Sequence, residues 1–143
     1  MKSKMIRPPE RVVREFIRRI NRRDLEGMTR LMSERHALID SLGRRIAGSR
    51  DTLLAAWTGY FAMVPDYAIK PKATFTRENT VIVIGTASGS YVPVKNGLSV
   101  GTWSTPATWR AIVRRGHVTE WQVYADNEPI RVLMRQTPPV PSS

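Results

Sequence analysis

Cysteine is missing altogether from this sequence. Its absence removes disulfides, thiolate nucleophiles, cysteine-ligated zinc and iron–sulfur clusters as explanations of fold or function. Histidine is nearly missing too, with only His36 and His117, so no imidazole-rich metal site is expected. No apolar run approaches the roughly 18–20 residues that a membrane-spanning helix needs. The opening MKSKMIRPPERVV is basic but is not followed by an apolar stretch, so it does not read as a signal peptide. Acidic residues are scarce: 12 Asp plus Glu face 23 Lys plus Arg in 143 residues, a formal net charge of +11. The expectation is one soluble, cytoplasmic domain that needs no cofactor and works with carboxylates, hydroxyls, amides or arginine.

The positive charge is mostly arginine, 18 residues against 5 lysines. Six arginines (Arg11, Arg14, Arg18, Arg19, Arg22 and Arg23) fall in the first predicted helix. They occupy the positions left over once Val12, Val13, Phe16, Ile17 and Ile20 form the apolar stripe. A solvated helix face accounts for that pattern. No Arg-Gly repeat or RNA-reading aromatic motif accompanies it, so nucleic acid stands only as a third-ranked partner and a membrane surface is not expected.

Periodicity divides the chain into a helical front and a β-rich back. Residues 1–8 read as a flexible basic arm, 9–135 as a single domain, and 136–143 (QTPPVPSS) as a flexible tail. Pro9 opens a helix to about Arg22. Asp24 caps a short second helix, HALID follows as a strand, and Ser49 caps a third helix that Pro65 stops. Tyr67–Thr76, Thr80–Val92, Leu98–Arg114 and His117–Ala125 then read as strands, punctuated by Glu78-Asn79, Asn96-Gly97 and Arg115-Gly116. Asp126 and Asn127 cap a short last helix with Pro129 in its first turn. The fold class is α+β, with a long curved antiparallel sheet and the helices segregated to one face.

Three motifs, REFIRRINRRDLEGMTRLM, HALIDSLG with a following Gly48-Ser49 cap, and RRGHVTEWQVYADNEP, resemble the SnoaL-like branch of the nuclear-transport-factor-2-like superfamily. That superfamily also holds ketosteroid isomerases, limonene epoxide hydrolases and small polyketide cyclases. The resemblance implies a cone-shaped α+β fold whose sheet and three helices enclose an apolar pocket for a small apolar molecule. It further implies a homodimer through the outer sheet face. Asp40 falls where the isomerases place their general base. Their oxyanion-stabilising tyrosine falls on Phe16 and their protonated acid near Trp109, and neither group is retained. The hydrolases' Asp–Arg–Asp set finds no Arg or Asp near Thr86 to Ser88, and no Asp near Val123. By the same resemblance, His117, Thr119, Trp121, Val123 and Ala125 line the pocket, while Val118, Glu120, Gln122 and Tyr124 face the dimer partner.

The candidate chemistry therefore rests on Asp40. An acid facing an apolar chamber has its pKa raised by desolvation and becomes a better base near neutrality. The competing reading is that Asp40 starts a turn, with its carboxylate bonding to backbone two residues on. Trp109, Tyr60 or Tyr91 would steady developing negative charge, and Phe16, Leu38, Trp57, Trp121 and Val123 complete the expected pocket. His36 lies too far along an extended strand to partner Asp40 and reads as an exposed or mouth-lining residue. Asp126 reads as a helix cap. The leading function is a small-ligand pocket with acid–base chemistry of the isomerase, cyclase or epoxide hydrolase type; a non-catalytic binding or dimerisation module is the alternative.

Overall fold

A computed structural model describes residues 6–93 and 97–136. Helix α1 (Pro9–Asn21) buries Val12, Val13, Phe16, Ile17 and Ile20, as its stripe predicts. On its outer face Arg14 pairs with Glu10 at 2.6 Å, while Arg19 pairs with Glu15 and Asp24, each at 2.8 Å. Helix α2 (Leu25–Leu31) starts at Asp24, whose side chain accepts from the Gly27 N–H at 3.0 Å.

Strand β1 (Met32–Ile39) follows α2 directly and turns through Asp40–Arg44 into β2 (Arg45–Ser49), a strand the sequence pattern did not reveal. Helix α3 (Arg50–Met63) begins at the Ser49 cap and ends before Pro65. Strands β3 (Ala68–Arg77), β4 (Thr80–Tyr91), β5 (Gly101–Arg114) and β6 (His117–Ala125) form a meander, closed by helix α4 (Glu128–Arg135). The predicted Asn96-Gly97 turn has Asn96 outside the described residues, as are residues 1–5 of the arm and 137–143 of the tail.

The strands form one curved, open sheet in the order β2-β1-β6-β5-β4-β3. It is mixed rather than wholly antiparallel, because β1 lies parallel to β6 (Leu38 opposite Trp121). Parallel neighbours require a long crossover, supplied here by α3 and the whole meander. The core fills the space between α1, α3 and the concave face, centred on Phe16, Trp57, Trp109 and Trp121. The register of β5 against β6 slips between Ile112 and Val113, and the extra residue reverses the alternation along β6. Val118, expected on the outer face, is consequently buried in the core.

Candidate active site

A cavity of about 240 Å³ lies where α3, α4 and the middle of the sheet meet. The sheet contributes Ala87, Trp103, Thr105, Val123 and Ala125, and α3 contributes Tyr60 and Met63. Tyr67 follows from the loop before β3. Helix α4 lays Ile130, Arg131 and Met134 across the open side. The rim is polar: Asp40, Ser41, Leu42 and Arg44 come from the β1–β2 turn, and Asp126 and Asn127 from the approach to α4.

Side-chain bonds tie that rim to α4. Ser41 Oγ donates to Asn127 Oδ1 at 2.6 Å, tying the β1–β2 turn to the start of α4. Asp126 Oδ1 accepts from the Glu128 N–H at 2.9 Å, so Asp126 caps the helix, while Asn127 makes no side-chain cap bond. The seat of α4 is prepared by Gly101. A Cβ at that position would approach Leu133 Cδ2 to 2.8 Å, and its φ of +149° disfavours other residues.

The interior is aromatic. Tyr60 and Tyr67 meet edge to face with ring centroids 5.1 Å apart, and Tyr67 continues to Trp103 at 6.3 Å. Burial pushes both phenols to higher pKa, and the neighbouring tyrosine adds to this at Tyr60. The Trp109 indole opposes the rise at Tyr67, although its N–H has no full hydrogen-bond partner among the described residues. Both groups are neutral donors at physiological pH. The Trp103 N–H is buried, with no acceptor among the described residues.

Asp40 stands at the rim but not in the state expected of a desolvated base. Partial burial raises its pKa. The Arg44 N–H and guanidinium and the Leu42 N–H outweigh that effect and hold the carboxyl below its ordinary value. Its Oδ1 accepts from the Leu42 and Arg44 backbone, each at 2.9 Å, and its Oδ2 from Arg44 Nε at 2.7 Å. These are the bonds of the turn reading.

Of the other sequence candidates, Tyr60 and Val123 line the cavity with Asp40. Phe16, Trp57, Trp109 and Trp121 are packed into the core beneath it, and Leu38 is half-buried against that core. Tyr91, at the end of β4, lies outside the lining. His36 is buried rather than exposed, with Nδ1 2.7 Å from the Val118 carbonyl and its ring against Phe16. Trp103 and Thr105 went unforeseen although the period-two alternation that buries Trp109 also runs through them. Tyr67 was read only as the start of a strand. No sequence signal placed the α4 residues over the cavity.

A curved sheet closed by helices over an apolar cavity is the architecture of nuclear-transport-factor-2-like proteins. The chain belongs to the SnoaL-like domain family, which matches residues 13–126. No curated protein matches it by sequence. Among solved structures, it is similar to an assigned SnoaL-like polyketide cyclase from Shewanella denitrificans OS-217, at 12% identity and TM-score 0.78, over 92% of this chain and 100% of that one. It is also similar to IdmH, an assigned polyketide cyclase from Streptomyces antibioticus, at 17% identity and TM-score 0.73, over 90% and 99%. AclR, an assigned hydroxylase from Streptomyces galilaeus, matches at 18% identity and TM-score 0.71, over 94% and 85%. At these identities the likeness is one of fold.

Proposed function

We propose that the protein binds a small, largely apolar molecule bearing a carbonyl or phenolic oxygen in the cavity beneath α4. One observation carries this reading. A mostly apolar, aromatic cavity is lined by Tyr60, whose hydroxyl has no hydrogen-bond partner among the described residues. A phenolic O–H with no acceptor in such a wall is a ready donor to a ligand oxygen. Polyketide-like aromatic ketones fit that description, and IdmH and the Shewanella protein both carry the name of polyketide cyclase. Titration with a panel of apolar ketones and phenols, followed through tryptophan fluorescence, is expected to give saturable quenching. Ala125→Phe, which fills the cavity, is expected to weaken it at least tenfold while circular dichroism stays unchanged. Absence of saturable binding by every member of the panel refutes the reading.

A second reading, favoured by the position of Asp40 in the lining, is cofactor-free acid–base catalysis with Asp40 as base and Tyr60 as donor to developing negative charge. A carboxylate held below its ordinary pKa is a weak base, so this reading requires ligand entry to displace Arg44. Turnover of ketosteroid, polyketide or epoxide substrates is then expected to fall at least a hundredfold in Asp40→Asn. Equal turnover removes Asp40 from the chemistry. We also take the protein to work as a homodimer through the outer sheet face, where Phe75, Ile84 and Tyr124 are 60%, 43% and 51% exposed.

A further inference from the structure

The rim of the cavity carries two arginines, in different situations. Arg44 is spent on Asp40 at 2.7 Å, and one turn beyond the rim Arg135 is likewise paired with Glu128. Arg131 also lines the cavity, from α4, yet its guanidinium meets no carboxylate and no hydrogen-bond acceptor among the described residues. The remaining rim carboxylate, Asp126, directs Oδ1 to the Glu128 N–H and favours the helix N-terminus. The interior behind Arg131 is aromatic and aliphatic, and it holds only neutral donors.

We infer that the ligand of this cavity is an apolar carboxylic acid, with its ring against Tyr67, Trp103 and Val123, its carbonyl or phenolic oxygen toward Tyr60 and its carboxylate on Arg131. The guanidinium presents a planar fork that matches a carboxylate with two parallel hydrogen bonds. Being at the rim, it keeps its own hydration on one side, so the pair forms without the cost of a fully buried ion pair. The same carboxylate in the interior would meet the low dielectric without a counter-charge. The orientation is therefore fixed, with the acid outermost and the oxygen-bearing ring inward. This assignment rests on the cavity being a ligand site, and it adds to that reading the charge of the ligand and the residue that selects it.

The test uses the full chain with a hydroxynaphthoic acid and its methyl ester, two probes that share the phenolic ring body and differ in charge. Binding is read by quenching of tryptophan fluorescence at low ionic strength, in wild type and in Arg131→Gln. The expected result is that wild type binds the acid at least tenfold more tightly than the ester. Arg131→Gln then binds the two alike, with the ester affinity unchanged. Arg131 is exposed on α4, and a matching thermal melt confirms that the variant is folded. Equal binding of acid and ester by wild type overturns the inference and leaves the cavity a binding site. A preference that survives Arg131→Gln overturns the role of Arg131. Failure of both probes to bind, in a protein that also ignores the ketone and phenol panel, overturns the inference together with the reading beneath it.

Discussion

Folding carries the His36 side chain from water into a site where Nδ1 meets the Val118 carbonyl at 2.7 Å and Nε2 meets no partner among the described residues. Burial lowers its pKa below the ordinary 6.5, and the bond to Val118 and the charge of Glu120 offset only part of that shift. The unfolded chain therefore takes up a proton at about 6.5 that the folded chain refuses. Stability is fully present above that pH and declines as pH falls toward the folded value, with a slope of at most ~1.4 kcal/mol per pH unit. Thermal melts across pH are expected to fall below this point in wild type and to stay flat there in His36→Gln. Both proteins are expected to lose further stability at still lower pH, where Asp40 and Glu120 protonate; their depressed pKa values stabilise the fold only while they remain charged. The sequence could not announce the burial of His36, because parity counted along a strand fails at an irregularity. The β1–β6 register shifts between Met32 and Ala37, just where His36 sits. Asp40 was more legible. The turn chemistry of Asp before Ser-Leu-Gly is the bonding observed, and the raised pKa that the family comparison implied is absent because Arg44 follows four residues later.

Among the elements, α4 depends most on a single backbone position. Its one buried residue, Leu133, lies over Gly101, where a side chain would collide and the φ of +149° is hostile to L residues. Gly101→Ala is expected to destabilise the protein by about 1–3 kcal/mol. It is also expected to lift α4 from the cavity, measurable as a lower melting temperature and faster proteolysis near residue 133. The helices were legible because their apolar stripes and caps lie in the sequence: Asp24 and Ser49 both accept the backbone bonds expected of them. Strand β2 was not, because RIAGS is short, lies at the sheet edge and shows no burial alternation. The bulge in β6 was hidden for a related reason. Nothing in HVTEW marks Thr119 as the residue without an opposite number, so Val118 and Trp121 both reach the core across an odd spacing.

On the scale of the whole molecule, the sheet presents one face to the helices and leaves the other bare. Phe75 on β3 lies opposite Ile82 of β4, Ile84 opposite Thr108 of β5, and Thr108 opposite Tyr124 of β6, giving a continuous apolar band. Beside it Glu120 bridges Arg45 and Arg110. The homodimer proposed above would account for large apolar side chains that monomers seldom gather in one patch. Ile84→Glu is expected to shift sedimentation from dimer to monomer with little change in far-ultraviolet circular dichroism. A monomeric wild type would show that the band has another purpose.

The parallel seam between β1 and β6 has a consequence in time. The β3 to β6 meander is built from neighbouring hairpins, whereas the His36–Val118 contact joins residues 82 positions apart. Closing so wide a loop is entropically expensive until the meander already offers a finished edge. Assembly of the chain is therefore expected to run backwards along its own sequence, the last strand serving as the template on which the first one is laid. Pulsed hydrogen exchange is expected to show β5 and β6 protected before β1.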